Sequence, residues 1–123
     1  MDQNAWRLWS DSGQPKPGTQ DIVDTLDTVL RRWPLHIGAN HYYIHAVEGS
    51  SSPERGLASA HRLDALAAAP LVGLGHLLHM PAHIYLRTGG YGLAVRSTRA
   101  AAAADHAYEL ARPDDVSYAR GYG

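Results

Sequence analysis

The chain has 123 residues, with 11 lysines and arginines against 12 aspartates and glutamates and a formal net charge of −1 at pH 7. That length suits one domain with a modest core, and the balanced charge gives no reason to expect a nucleic-acid or membrane surface. The absence of cysteine excludes disulfides and thiolate metal sites. No apolar run reaches the roughly 18 residues of a spanning helix, and the opening "MDQNAWRLWS" lacks a signal-peptide pattern, so a soluble, cytoplasmic protein is the expectation.

Residues 1–18 include "SDSGQPKPGT" and read as an irregular lead-in pinned by Trp6, Leu8 and Trp9. From Thr19 the pattern turns helical, with Ile22, Val23, Leu26, Val29, Leu30 and Trp33 at three- and four-residue steps, Asp21 in the first turn and Pro34 closing the segment. A second helix is expected over 37–48, ending at "GSSSP". Ser52 can cap a third, with Pro53 at its first position and Glu54 placed favourably against the helix dipole, running to about Ala67. A fourth runs from near Leu74 to Thr88 and stops at Gly89 and Gly90. A fifth starts at Tyr91, with Ala94, Val95, Thr98, Ala101 and Ala102 on one face, and the alanine run 100–104 favours helix and close packing. No segment reads as a strand. The class is all-α, with short loops favouring antiparallel hairpins.

Five of the eight histidines fall in two of these helices, in "NHYYIHAVE" (40–48) and "GHLLHMPAHIY" (75–85). At about 100° per residue, His41, His45 and Glu48 lie within roughly 60° of one another, as do His76, His79 and His83. Side chains at i, i+4 and i+7 can converge on one point, which is why paired helical histidines bind metals. Pro81 removes a backbone donor opposite the Leu77 carbonyl, so a bend there can re-aim His76 and His79 relative to His83. If Pro81 instead starts a helix, that stripe does not form.

A repeat is visible as well: Gly-Leu-Ala occurs at 56–58 and again at 92–94, an offset of 36. The segment "AHIYLRTGGYGLAVRSTRAAAAAD" (82–105) resembles a tetratricopeptide-repeat unit, with Tyr85 and Leu86 before a glycine turn, Tyr91 after it, and small Ala94 and Ala101 where paired helices approach. "GANHYYIHAVE" and "GHLLHMPAHIY" resemble, more specifically, a group of bacterial proteins of this repeat type. The resemblance spans about 6–108. It implies antiparallel hairpins stacked as a short TPR-like solenoid of about two and a half units over 19–112, followed by a flexible tail at 113–123. The Trp and Leu-Gly positions typical of a first repeat helix are missing from both units. Solenoids need closed ends, so the lead-in caps this one, or the chain forms a homodimer, or it belongs to a longer parent.

In the repeat arrangement the first helices of successive units run side by side and line a concave groove. The offset of 36 maps 41–48 onto 77–84, which aims both stripes into one groove. The expected metal ligands are His41, His45, His76, His79 and His83, with Glu48 as a sixth ligand or as general base. Imidazoles with one carboxylate suit a transition metal, zinc first and copper or iron next, and argue against calcium or magnesium. Asn40, Tyr42 and Tyr43 are candidates for orienting the ligands. His36, His61 and His106 stand alone and read as ordinary hydrogen-bonded or exposed residues, Met80 as packing, and Arg87 as a solvated cation.

Two functions follow. One is a metal-binding domain that acts as a hydrolase with zinc or an oxidoreductase with copper or iron. The other is a scaffold that holds a peptide or protein in the groove, as repeat domains commonly do.

Overall fold

A computed structural model describes residues 7–68 and 73–112. Trp6, the 69–72 connection and the 113–123 tail lie outside them. The described residues are all-α: α1 (Thr19–Arg32), α2 (Ile37–Val47), α3 (Leu57–Asp64), α4 (Gly75–Thr88) and α5 (Tyr91–Ala111), with 3-10 turns at Pro53–Gly56 and Ala65–Ala68. Only an isolated bridge between Trp9 and Pro15 is extended. No helix among them is long and apolar enough to cross a membrane.

The lead-in is tied down by polar contacts as well as by packing. Thr19 Oγ1 donates to the Leu8 carbonyl at 2.6 Å, and Trp9 Nε1 reaches the Ala46 carbonyl at 2.7 Å, in the last turn of α2 where carbonyls lack helical donors. Its other apolar residues, Leu8 and Trp9, pack on the core.

Contacts along the chain define how the helices run. Gly56 lies against Val47 while Arg62 reaches Asn40, so α3 runs antiparallel to α2. Asp105 lies against Gly75, and Gly89 and Gly90 join the other ends, so α5 runs antiparallel to α4. Gly89 takes φ 83°, a left-handed turn that glycine adopts without a Cβ clash. Between α2 and α4 the pairs are His41 with His76 and Glu48 with His83. Both are separated by 35 residues in sequence, so these two helices run parallel, side by side.

The core is continuous through this set: Val23 and Leu30 from α1, Tyr43, Ile44 and Val47 from α2, Leu63 from α3, and Met80, Ile84 and Tyr85 from α4. Helix α2 is the centre, burying Ala39, Asn40, Tyr43, Ile44, Ala46 and Val47 and leaving the histidine stripe as its one polar seam. Helix α4 continues through Pro81, which is itself buried, so the expected stripe forms without a break.

Four expectations need correction. The third helix is not continuous from Ser52, because Pro53–Gly56 wind as a 3-10 turn and the Ser52 side chain makes no capping bond; Ser50 Oγ takes the Ser52 amide instead. The buried face of α5 is Ala94, Ser97, Ala101 and Ala104, rather than one including Val95, Thr98 and Ala102, because that small-residue stripe lets α5 approach α4 closely. On α1, Ile22 is 39% exposed, and Trp33 just past its end is 55% exposed, since the helix is covered on one side only. The two Gly-Leu-Ala copies are not equivalent. A Cβ on Gly56 would come within 2.6 Å of Ile84 and 3.1 Å of Val47, where α3 crosses α2 and α4, whereas Gly92 has nothing within 4 Å. The α2–α4 pairs are offset by 35 residues and not by the 36 of the repeat.

Candidate metal centre

The seam between α2 and α4 gathers the histidines. Nε2 of His41 lies 3.0 Å from Nε2 of His76 and 3.1 Å from Nε2 of His45. Ligand atoms of these three residues all lie within 4.8 Å of one another. A neutral imidazole nitrogen carries either a proton or one in-plane lone pair. His41 Nε2 therefore cannot form two well-directed hydrogen bonds in its two contacts. A cation receiving three lone pairs resolves this conflict, and tetrahedral Zn–N bonds put neighbouring nitrogens about 3.3 Å apart. Two of the three separations, 3.0 and 3.1 Å, lie close to that value.

One step further along the seam, His83 Nδ1 lies 3.1 Å from Glu48 Oε2. The contact is an ion pair by distance, yet by hydrogen-bond geometry this buried oxygen has no partner. His79 and His83 sit one turn apart on α4, their ring centres 4.9 Å apart in an edge-on arrangement. Thus the structure brings His41, His45 and His76 to one point, and sets Glu48, His83 and His79 beside it as a neighbouring group.

Electrostatics divides the two groups. Burial, reinforced by His45 and His76, holds His41 down at about 4, well below the usual 6.5. His45 and His76 are also depressed, chiefly by burial. His79 is depressed by burial and by His83 and His76, against the pull of Asp105 and Glu48. His83 alone is raised, because the Glu48 carboxylate outweighs its burial. Neutral imidazole is the metal-binding form, so burial favours the metal-binding state of all three rings.

The backbone at this site is held by side chains from distant parts of the sequence. Arg87 bonds the Glu48 carbonyl and, at 3.2 Å, the Ser50 carbonyl, closing the C-terminal end of α2 against α4. It is an exposed side chain whose guanidinium also clamps the helix end. The His36 side chain accepts the Ala39 amide at 3.0 Å as the N-cap of α2.

Of the expected orienting residues, Tyr42 stacks on His41 with ring centres 5.2 Å apart. Asn40 is turned away, donating to the carbonyls of Pro34 and His36 at 2.9 Å each. Tyr43 is buried on the side of α2 that faces Asp27 and Arg55. Met80 is fully buried in the core. Outside the seam, His61 pairs with the Tyr85 hydroxyl at 3.1 Å, and His106 is exposed on α5.

Asp105 is the residue that sequence reasoning passed over. Its carboxylate lies against Gly75, where a Cβ would come within 2.0 Å of Oδ1, and that buried oxygen has no hydrogen-bond partner. An acid at the α4 N-terminus is favoured by the helix dipole. Its only sequence cue is that it ends the alanine run. No family model matches the chain, and no curated protein or solved structure matches it.

Proposed function

We propose that this chain is a transition-metal-binding helical-repeat protein, its ion held by Nε2 of His41, His45 and His76, with zinc first and copper or iron next. The convergence of three ring nitrogens across two parallel helices carries the reading. Three nitrogen ligands leave a fourth tetrahedral position open, the arrangement of catalytic rather than closed structural zinc. Such an ion supplies Lewis acidity and a more acidic water.

Beside it, Glu48 orients His83 and favours its protonated form, so His83 Nε2 can take a proton and return it. Metal-assisted hydrolysis is the reaction class this pairing suits best. The antiparallel neighbours and the parallel α2–α4 pair also support a TPR-like solenoid, in which the ion sits between the first helices of two successive units.

The test is elemental analysis of protein purified without a histidine tag and dialysed against zinc, copper(II) or iron(II). About one equivalent is expected, lost in the His41→Ala/His76→Ala double variant, with cobalt(II) giving a tetrahedral absorption spectrum. Protein that retains less than about a tenth of an equivalent under these conditions removes the reading.

A further inference from the structure

The other face of α2 borders a second polar cavity that the metal reading does not use. It has a volume of about 310 Å³ and lies where α1, α2 and α3 meet. Tyr43 points about 165° away from the mean direction of the histidine stripe, so this cavity opens on the opposite side of α2. Three guanidinium groups, Arg31, Arg55 and Arg62, line it against one carboxylate, Asp27.

The local sequence explains why the space exists. On α3 and the turn before it, Arg55, Ala58, Ser59 and Arg62 follow the i, i+3, i+4, i+7 pattern of one helical stripe. The small pair in the middle forms a floor between two basic walls. Leu30 and Pro34 supply an apolar edge.

The arginines are oriented by long contacts, and Arg55 also lies within reach of the Tyr43 hydroxyl. Arg55 Nη2 lies 3.6 Å from Asp27 Oδ2, Arg62 Nη1 lies 3.4 Å from Asn40 Oδ1, and Arg31 Nε lies 3.4 Å from the Asp27 carbonyl. These are long contacts for groups whose charge-assisted bonds close at about 2.7–2.9 Å. The Asn40 that aims Arg62 is 1% exposed and fixed by two backbone carbonyls, so it positions that guanidinium on a rigid support. Tyr43 is 5% exposed, and its hydroxyl is kept protonated by burial and by Asp27, which suits a hydrogen-bond donor.

We infer that this cavity binds the phosphoryl dianion of a small phosphate monoester, with Arg55 and Arg62 gripping the phosphate from the two ends of the Ala58–Ser59 floor. Planar guanidinium forks match phosphate oxygens two at a time, which a lysine cannot do. Asp27 keeps Arg55 aimed inward and, by its charge, disfavours a long polyanion. The cavity volume falls at the small end of ligand sites, and Leu30 and Pro34 offer an apolar surface for the organic part of an ester. The site stands independently of the metal centre.

The test titrates inorganic phosphate and phenyl phosphate into the whole protein and follows backbone amide shifts, with sodium chloride at matched ionic strength as the reference. Saturable shifts are expected at residues 27–31, 43 and 55–62, with phenyl phosphate binding more tightly than inorganic phosphate. An Arg55→Gln/Arg62→Gln variant is expected to weaken binding at least tenfold while metal content stays unchanged.

Shifts no larger than those with chloride, shifts spread evenly over the arginines of α4 and α5, or an unchanged affinity in the double variant would each overturn the inference. If that variant does not fold, the localisation of the shifts in the unaltered protein decides alone.

Discussion

Helix α4 faces two polar clusters, and they are built on opposite principles. On one side, Asp64 receives the Ser97 hydroxyl at 3.0 Å, Arg96 at 2.5 Å and the Tyr85 hydroxyl at 3.4 Å, while that hydroxyl also meets His61 at 3.1 Å. Each donor there has an acceptor. On the other side, imidazole meets imidazole, and Glu48 Oε2 faces His83 Nδ1 at 3.1 Å. A satisfied buried network fixes helix positions. The Asp64 cluster is a lock between α3, α4 and α5; under the proposed function the histidine seam is a socket.

The largest effect that sharpens this contrast is the response to metal. Zinc at a thousand times its dissociation constant should raise the unfolding free energy by about 4 kcal/mol, as any ligand of the native state does. His76→Ala should abolish that gain and weaken zinc affinity at least about 100-fold, while changing the metal-free protein by less than about 1 kcal/mol, because His76 is exposed at the seam edge. Urea unfolding with and without zinc reads both. A large loss of metal-free stability in His76→Ala would mean that the seam is a structural cluster after all.

Next in size is the opposite manipulation. Asp64→Ala removes the common acceptor of Ser97, which is fully buried, and of Tyr85, leaving hydroxyls to be desolvated without it. The expected cost is about 2–3 kcal/mol of metal-free stability, with zinc stoichiometry unchanged. Arg96 is exposed and contributes little to that figure. Chemical unfolding together with metal analysis of the variant separates the lock from the socket.

These two clusters also differ in how far they can be read from the sequence. The seam was legible because each half lies on one helix, where spacing alone aligns His41, His45 and Glu48, and again His76, His79 and His83. What spacing could not supply was the relation between the two halves. The Gly-Leu-Ala copies suggested an offset of 36, but one copy ends a 3-10 turn at a helix crossing and the other lies in the open first turn of α5.

The lock was invisible for the same reason in stronger form. It joins residues 64, 85, 96 and 97 from three helices, and nothing in their own segments marks the four as partners. Asn40 was misread, and the hold of Arg87 on the end of α2 was not foreseen, since the bonds involved go to backbone carbonyls, which leave no trace in residue identity. The all-α class was legible throughout, because apolar periodicity and glycine or proline stops are local signals.

Acid and base should expose the two clusters separately. His41, His45, His76 and His79 are depressed in the folded state, so the unfolded chain takes up protons first as pH falls. Metal-free stability should therefore decline below 6.5, a decline that for His41 extends to about 4. His83 works in the other direction: its contribution is complete below 6.5 and fades as pH rises through its raised folded value.

Tyr85 is pushed up to about 12 by burial and then by Asp64, so its contribution holds below 10 and is lost between 10 and about 12. Urea midpoints across both ranges should show an acid limb that His76→Ala shallows and an alkaline limb that Asp64→Ala shallows. Crossed effects would show that the clusters are coupled through α4.

The smallest expected change carries the sharpest information about the socket. Glu48→Gln keeps the size of the side chain and leaves the backbone carbonyl that Arg87 grips, so only the charge beside His83 disappears. Because the pair is partly exposed, stability near neutral pH should shift by less than about 1 kcal/mol. The His83 titration should move much further in relative terms, falling below 6.5, since burial then acts without the carboxylate that opposes it. His45 and His79 should fall with it, because Glu48 raises both. Imidazole nitrogen shifts followed by NMR across pH resolve each ring. Were His83 to titrate unchanged, the Glu48 contact would be incidental, and the ion at the neighbouring trio would have to work without that proton acceptor.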